Sequence, residues 1–380
     1  MKIAYLSQST VPSKEANNIH VMKMCNAFSE HGCKVSLLVP EFHDDDKIKA
    51  DPFEFYGVKP TFDLLKMCKM PLLHCSISYA LQCIKRLFVL NPDLVFSRSL
   101  VGSVVAVYAG FPVIFEFHQP VSDYGVTKAW LFKWLISSKN FLGLVVVTKS
   151  LKEWYQKHFQ LSENSIFVAP DGADIMSSFD NSLVDLVLPE VFGSKWHVGY
   201  IGGLYPGKGM EIIIPLAKRC PDVNFHIVGG RESDITCWKL KTGILKNVFF
   251  HGFYPHARVI QFMKKMDVLL VPNLRSVRCN DGNTDIGKWT SPLKLFEYMA
   301  AKKPILASDI EVLREVLVHE KNSVLCDPDD NEAWQAGLRR LLSDQELADR
   351  LTSKAFADLT EKYTWSKRAE TLLDFIKSRL

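Results

Sequence analysis

Two successive series of short apolar runs occupy this chain, and helical patterns separate most of the runs. The first run is Lys2–Ser7 (KIAYLS), and Val35–Val39 (VSLLV) follows it after a polar loop and a helical stretch that ends at Gly32. A strand, a helix and a second buried strand within about forty residues form a βαβ unit. Continuous apolar strands are typical of a parallel sheet that helices cover on both faces. The beginning of the chain therefore predicts an α/β fold.

The other apolar runs continue this rhythm through both halves of the chain. Further strands of the first series are predicted at Asp93–Ser97, Pro112–Phe117, Leu144–Thr148 and Ile166–Pro170. Strands of the second series are predicted at His197–Ile201, Asn224–Val228, Val248–Phe250, Val268–Val271, Pro304–Ala307 and Ser323–Leu325. Strands that alternate with helices in two series predict two Rossmann-like doubly wound domains, which we expect to face each other across a cleft.

The break between the two series predicts the domain boundary. Residues 174–193 lack a strong period and are expected to form a linker. We assign residues 1–180 to an N-terminal domain and residues 190–362 to a C-terminal domain, each within the usual size of a single domain.

Cysteine usage and charge exclude several classes of protein. The nine cysteines contain no CxxC pair, and the N-terminus lacks the apolar core of a signal peptide, so reduced thiols and a cytoplasmic location are expected. No long uninterrupted apolar run predicts a membrane-spanning helix. A net charge of +4 is too small to indicate a nucleic-acid partner, although it allows an anionic substrate or an acidic membrane surface.

A glycine-rich loop, Gly202–Gly209 (GGLYPGKG), follows the first strand of the second series. Glycines let backbone amides approach a phosphate closely, and the N-terminus of the following helix adds positive potential. Lys208 supplies a mobile cation at the same place. The loop matches neither the dinucleotide fingerprint nor a Walker A motif. An ordinary βα turn with a solvated lysine explains the pattern equally well.

The segment TSPLKLFEYMA contains a well-marked helix start. Ser291 is a good N-cap and Pro292 a good first helical residue. The amides of Leu293 and Lys294 would then be free to hold a diphosphate, with the ammonium group of Lys294 beside them. Glu297 lies one turn further on, where its carboxylate can accept hydrogen bonds from ribose or sugar hydroxyls. The alternative is a capped helix whose glutamate only favours the positive helix end.

His118 stands at the carboxyl end of the predicted strand PVIFEF, where parallel sheets bind ligands. Its imidazole could contact a donor hydroxyl or a phosphate proton, although a lone histidine is more often structural. Glu116, within the strand, is expected to point inward. Asp44–Asp46 contains a DxD pattern, but its charged surroundings predict solvated surface, and we expect no metal site there.

The stretch Leu64–Leu90 mixes apolar residues with four basic ones. It could lie on an anionic membrane as a basic amphipathic helix. One or two ordinary domain helices are the alternative, so peripheral membrane contact is an open expectation from the sequence.

Together these motifs resemble those of the family 4 glycosyltransferases, which are retaining enzymes of the GT-B fold. The similarity covers nearly the whole chain, and the segment SPLKLFEYMA is its most specific part. Other matching segments are Pro170–Asp174, Gly202–Gly209, Ile227–Gly230, Phe250–Phe253, Val271–Pro272 and Lys303–Asp309. The resemblance implies an acceptor-binding N-terminal domain, a donor-binding C-terminal domain and a last helix, residues 363–380, that crosses back onto the first domain.

The resemblance also implies roles for individual residues. It implies catalytic roles for His118, Lys208 and Glu297: His118 near the transferred sugar, Lys208 on the diphosphate and Glu297 on the ribose. The donor-binding residues that it implies are Gly202, Gly203, Lys208, Gly229, Phe253, Ser291, Pro292, Leu293, Lys294 and Glu297, with Phe253 at the base. The family's acceptor-side loop aligns with Ala16, Asn17 and Asn18.

Two departures from the family pattern concern the donor site. Trp289 stands where the family has the first of two glutamates, and Gly203 where many members have an arginine. The missing carboxylate usually contacts the donor sugar, so the sugar is left open, and Asp285, Lys288 or loop amides could compensate.

The expected activity is transfer of a sugar from a UDP- or GDP-linked donor to a hydroxyl of a glycan, a lipid-linked or a small-molecule acceptor, without metal or other cofactor. An inactive nucleotide-sugar-binding or scaffolding protein is the alternative, because of Gly203 and Trp289. A nicotinamide-dependent oxidoreductase is a third hypothesis. It is disfavoured because the loop after the first strand, Gln8–Asn18, contains no glycine.

Overall fold

The structure is a computed structural model that describes residues 1–41, 50–68, 70, 74–175, 188–189, 193–278 and 284–380. Within it the chain forms two compact units, Met1–Asp171 with Trp365–Leu380, and Gly172–Thr364. The DxD segment at Asp44–Asp46 and much of the expected linker lie outside the described residues.

The first unit contains a parallel sheet with strand order β3-β2-β1-β4-β5-β6-β7. Its strands are β1 (Lys2–Leu6), β2 (Lys34–Glu41), β3 (Asp63–Cys68), β4 (Leu94–Ser97), β5 (Val113–Phe117), β6 (Phe141–Val146) and β7 (Ile166–Val168). Its helices are α1 (Ala16–Glu30), α2 (Pro52–Tyr56), α3 (Cys75–Leu90), α4 (Leu100–Tyr108), α5 (Val126–Ser137) and α6 (Lys149–Phe159).

The second unit contains another parallel sheet, with strand order β10-β9-β8-β11-β12-β13. Its strands are β8 (Trp196–Ile201), β9 (Val223–Val228), β10 (Val248–Gly252), β11 (Val268–Val271), β12 (Ile305–Ser308) and β13 (Val324–Cys326). Its helices are α7 (Met210–Arg219), α8 (Glu232–Thr242), α9 (His256–Lys265), α10 (Leu293–Ala300), α11 (Glu311–Arg314), α12 (Asn331–Ser343) and α13 (Gln345–Asp358).

Two parallel sheets flanked by helices confirm the predicted α/β class with two Rossmann-like units. Strand order reverses between β1 and β4 in the first sheet and between β8 and β11 in the second. Ligands of doubly wound sheets bind at the carboxyl ends of the strands beside such a reversal. The loops after these strands are therefore the places in which to look for a site.

One strand was not predicted. Asp63–Cys68 forms β3, so Leu64–Leu90 is not one continuous amphipathic helix, and only Cys75–Leu90 is helical. The strand lies at the edge of the sheet, and most of its residues are partly or fully exposed. An edge strand of this kind lacks the continuous apolar run that identifies a buried parallel strand.

The last helix, α14 (Trp365–Lys377), belongs to the first unit and contacts α1. Its buried face is apolar apart from one arginine, Arg368, which is only 4% exposed. Within the described residues, no helix has both the length and the apolar character that crossing a bilayer requires.

Candidate functional site

In the second unit, the ends of β8, β9 and β10 bring two of the predicted glycines together. The amide of Gly202 donates to the carbonyl oxygen of Val228 at 2.9 Å, and the amide of Gly229 donates to that of Gly252 at 2.7 Å. A Cβ on Gly229 would lie 2.4 Å from the carbonyl oxygen of Gly202. The backbone of Gly229 also has a positive φ of +107°. Only glycine allows this close approach of the backbones. Phe253 follows directly and is partly exposed at the same strand ends.

The start of α7 differs from the expected phosphate site. The carboxylate of Glu211 accepts hydrogen bonds from the amides of Gly207 and Gly209 at 3.0 and 3.3 Å. A negative charge of the chain itself therefore occupies this helix N-terminus. These two amides of the glycine-rich loop are therefore already bonded within the chain. Lys208 projects from the same loop, with its ammonium nitrogen 5.1 Å from the centre of the Tyr205 ring.

Helix α10 begins one residue later than predicted. Pro292 has an extended ψ of 117° and is the residue before the helix, so Ser291 lies outside it and is not the N-cap. The shift leaves Leu293 and Lys294 in the first turn, where amides have no acceptor within the helix. The phenol oxygen of Tyr298 accepts from the amide of Ile201 at 2.9 Å and holds α10 against the end of β8.

Lys294 is the most unusual residue of this site. Its side chain is buried, and among the described residues its ammonium nitrogen has no hydrogen-bond acceptor. The nitrogen lies 3.9 Å from the centre of the Tyr200 ring and would be 3.7 Å from a Cβ on Gly202. Burial, reinforced by the positive charge of Lys208, lowers the pKa of Lys294 well below its usual value. An anion beside Lys294 and Lys208 would compensate the buried charge of Lys294 and reduce the repulsion between the two ammonium groups.

Glu297 has a partner that was not predicted. Its Oε1 lies 2.6 Å from Nε2 of His256, the first residue of α9, and both side chains are largely buried. The hydrogen bond orients the carboxylate on α10. The position of His256 directly after the loop that follows β10 is the only sequence signal that could have indicated this contact.

Asp285, which could compensate for the glutamate missing at Trp289, is bonded within the loop before α10. Burial raises the pKa of Asp285, but hydrogen bonds, among them those from the amides of Gly287 at 2.8 Å and Val277 at 2.9 Å, outweigh it and hold the pKa below its usual value. These bonds fold the loop around the carboxylate. Asp285 therefore holds the loop together, and its bonded oxygen Oδ1 is already occupied. Residues 279–283 of this loop lie outside the described residues.

The first unit contains a buried polar cluster around Glu116. One carboxylate oxygen, Oε1, lies 2.6 Å from Nε2 of His118, 3.0 Å from Nε2 of His20 and 3.0 Å from Nη2 of Arg368. Nδ1 of His20 in turn lies 2.6 Å from Oδ1 of Asp171. The sequence predicted His118 and the inward orientation of Glu116, but it did not indicate the other three residues.

The protonation of His118 follows from these contacts. Burial raises the pKa of Glu116, but the charges of Arg368 and His20 outweigh it and hold the pKa well below the usual value, so the carboxylate only accepts hydrogen bonds. Burial and the charge of Arg98 lower the pKa of His118 to about 4. At neutral pH His118 is therefore uncharged, donates from Nε2 to Glu116 and leaves Nδ1 as an acceptor.

His20, Glu116 and His118 also have ligand atoms close enough together to hold a metal ion. The guanidinium of Arg368, however, contacts the same oxygen of Glu116 that would bind the ion. A divalent cation would face this fixed positive charge at short range. The contacts favour a hydrogen-bonded network, and we assign no metal to it.

Ala16, Asn17 and Asn18 lie in the first turn of α1 and not in a loop. The side chain of Asn18 is buried and donates to the carbonyl oxygen of Thr10 at 2.7 Å, and the side chain of Asn17 donates to the hydroxyl of Ser9. These amides therefore hold the preceding loop in place. The predicted loop assignment is wrong because side chains of the polar segment after β1 stabilise an early helix start.

Solved structures show the fold class to which the two units belong. HepE of Anabaena, solved in complex with UDP and glucose, is 17% identical to this chain, with a TM-score of 0.72 and full coverage of both chains. The architecture is that of the GT-B glycosyltransferases.

Family models then identify the chain itself. The model described as Glycosyl transferases group 1 matches residues 189–358, and the model described as Glycosyltransferase Family 4 matches residues 18–176. This chain belongs to the family 4 glycosyltransferases.

Curated relatives of the chain carry consistent names. An uncharacterized glycosyltransferase of Methanocaldococcus jannaschii is 24% identical over 64% of this chain. A phosphatidyl-myo-inositol mannosyltransferase of Mycolicibacterium smegmatis is 26% identical over 60% of this chain. The chain spans 61% and 55% of the lengths of these two relatives.

Proposed function

We propose that this chain transfers a glycosyl unit from a nucleotide diphosphate sugar to an acceptor hydroxyl, with retention of anomeric configuration and without a metal ion. The proposal rests above all on Lys294. A buried ammonium group without an acceptor is costly in a ligand-free protein, and a diphosphate is a ligand that would compensate its charge.

The second unit is proposed to hold the donor. The amides of Leu293 and Lys294, together with the ammonium groups of Lys294 and Lys208, would bind the diphosphate. The carboxylate of Glu297, oriented by His256, would accept hydrogen bonds from the ribose. Phe253 is proposed to contact the base, since its partly exposed ring follows β10 at the same end of the sheet.

The chemistry requires stabilisation of the leaving diphosphate. As the bond between C1 and the phosphate oxygen breaks, its electron pair goes to the diphosphate, and the acceptor oxygen forms the new bond to C1. The acceptor's proton passes to the departing phosphate. Two lysines and a helix start can stabilise the growing negative charge electrostatically, which makes a divalent metal unnecessary.

His118 is proposed to assist on the sugar side. Its uncharged imidazole offers Nδ1 as an acceptor for a sugar hydroxyl, while Glu116 fixes the ring through Nε2. A neutral acceptor does not repel the positive charge that develops on the sugar ring in the transition state. This role needs no nucleophilic side chain.

The donor is proposed to be linked to UDP or GDP. HepE, of the same fold, binds UDP and glucose according to its solved complex, and the relative from Mycolicibacterium smegmatis is named for mannosyl transfer to a phosphatidylinositol. We propose a glycan, a lipid-linked or a small-molecule hydroxyl acceptor. The eight cysteines among the described residues are free thiols, which supports action in a reducing compartment such as the cytoplasm.

The test is a donor screen followed by product analysis. The purified chain is incubated in EDTA with UDP- and GDP-linked sugars and hydroxyl acceptors, and mass spectrometry and NMR identify the product and its anomeric configuration. A product with retained configuration is expected. An inverted product, or a strict requirement for added metal, would overturn the mechanism. Nucleotide binding without turnover on any acceptor would favour the inactive scaffolding protein instead.

A further inference from the structure

Three consecutive helices of the first unit, α3, α4 and α5, form a continuous layer. α3 contacts α4, and α4 contacts α5. Aromatic rings extend these contacts: Phe88 lies 5.3 Å from Phe111, and Tyr108 lies 6.4 Å from Trp134, measured between ring centres. We name the outer face of this layer the aromatic face.

The aromatic face exposes large apolar side chains. Its members are Phe88, Val89, Tyr108, Val126, Trp130 and Trp134, with exposed fractions between 43% and 88%. The rings of Trp130 and Trp134 lie 4.0 Å apart, one turn from each other on α5. A soluble protein rarely exposes this many large apolar side chains together unless the surface has a partner.

The charges of the same helices all have one sign. α3 contains Lys85 and Arg86, α5 contains Lys128 and Lys133, and none of the three helices contains an acidic residue. The nearest acidic residues in sequence are Asp93, three residues after α3, and Asp123, three residues before α5. Lys85 lies three residues before Phe88 on α3, and Lys133 lies three residues after Trp130 on α5, so each helix has a cation on the same side as an exposed aromatic ring.

We propose that the aromatic face binds the surface of an anionic phospholipid membrane. Tryptophan and tyrosine rings favour the level of the lipid headgroups, and lysine and arginine are attracted to anionic lipids. A second copy of the chain fits less well, because two such faces would bring their cations against each other. The face lies within one unit, and the inference does not depend on the proposed sugar transfer.

Sedimentation with vesicles tests this proposal. The full chain is mixed with vesicles of phosphatidylcholine alone, or of equal parts phosphatidylcholine and phosphatidylglycerol. Binding is expected only to the anionic vesicles and should weaken as salt rises. The double variant Trp130→Ser with Trp134→Ser should bind at least about tenfold more weakly. Lys85→Glu with Lys133→Glu should lose more, since each lysine contributes about fivefold at a charged surface.

Matched controls come from the second unit. Leu240→Ser with Ile244→Ser removes two side chains that are 80% and 96% exposed, and Lys239→Glu with Lys246→Glu makes the same charge change elsewhere. Both controls should bind like the unmodified chain. Equal losses in the controls, or unchanged binding in the tryptophan variant, would overturn the proposal. A dimer in analytical ultracentrifugation that the tryptophan variant abolishes would overturn it in favour of a second copy.

Discussion

The ammonium nitrogen of Lys294 lies 3.9 Å from the centre of the Tyr200 ring, and among the described residues it has no hydrogen-bond acceptor. The face of an aromatic ring compensates a buried cation only in part. Without a ligand, this lysine therefore lowers the stability of the second unit. A residue that costs stability in the free protein and can regain it with an anion is typical of a binding site.

We predict that Lys294→Met stabilises the ligand-free protein and removes its response to nucleotide. Methionine has a similar length and no charge, so the free energy of unfolding should rise by about 1–3 kcal/mol. In the unmodified chain, UDP or GDP at a hundred times its dissociation constant should add about 2.7 kcal/mol, and the variant should show little of this gain. Chemical denaturation with and without nucleotide measures both effects.

Lys302→Met is the control for this prediction. Lys302 also lies over an aromatic ring, 4.1 Å from the centre of Phe356, but its side chain is exposed. The same substitution there should leave both stability and nucleotide response nearly unchanged. A Lys294→Met variant that still responds to nucleotide like the unmodified chain would rule out Lys294 as a diphosphate ligand.

Glu297→Gln should lose affinity for the ribose in particular. A hydrogen bond to a charged group contributes about 1.5–3 kcal/mol, so UDP should bind roughly ten- to a hundredfold more weakly. A dideoxy nucleotide that lacks both ribose hydroxyls should bind the variant and the unmodified chain with similar affinity. Calorimetric titration of both ligands into both proteins separates this specific loss from a general one.

The exposed Glu311→Gln serves as the control, because it removes the same charge from a neighbouring helix start. Equal loss of affinity for both nucleotides in Glu297→Gln would show that the carboxylate does not contact the ribose. If Glu297→Gln transfers sugar at the rate of the unmodified chain, the assignment of Glu297 to the donor site is contradicted.

The pH profile of transfer should show that His118 acts uncharged. Its pKa of about 4 lies below the usual value, so the ring is neutral at neutral pH and becomes charged only as pH falls through about 4. kcat/KM should therefore show no loss caused by His118 between pH 8 and about pH 5. Because the charge of Arg98 lowers this pKa, Arg98→Met should raise it and move the acid limb to higher pH.

Lys139→Met removes an exposed charge of the same unit and should leave the acid limb unchanged. If both variants shift the limb equally, the effect reports net charge and not the surroundings of His118. His118→Ala should lower kcat and eliminate that limb, provided that substrate binding persists.

Much of the fold could be predicted from the sequence, because parallel strands that are buried on both faces appear as short continuous apolar runs. The prediction failed at β3, which lies at the sheet edge and places Lys66 among apolar residues. It failed again at Ala16–Asn18, since hydrogen bonds of two asparagine side chains to the preceding loop decide where α1 begins.

Residues of the candidate site could be predicted only where they lie within a recognisable local motif. Lys208, Lys294 and Glu297 follow from local motifs, and the structure brings Lys294 close to Gly202. Their partners were not visible: His256 lies 41 residues from Glu297, and Arg368 lies 252 residues from Glu116. Such contacts form because the fold brings distant segments together, and a local sequence pattern carries no information about them.

Arg368 provides the last prediction, because it joins the C-terminal helix to the buried cluster. Its guanidinium donates to Glu116 at 3.0 Å and to the carbonyl oxygens of Pro170 at 2.9 Å and Ala169 at 3.1 Å. Arg368→Met would leave the carboxylate of Glu116 buried with its main compensating charge removed. We expect a loss of about 3–5 kcal/mol in the stability of the first unit.

Hydrogen exchange monitored by mass spectrometry can assign this loss to its unit. Peptides from β5 and α14 should exchange faster in Arg368→Met, whereas peptides from β8 and β9 should keep their protection. Adding Glu116→Gln removes the uncompensated charge and should restore part of the stability, although His118 then loses its ionised acceptor. Equal destabilisation of both units, or no recovery in the double variant, would contradict the view that Arg368 acts by compensating Glu116.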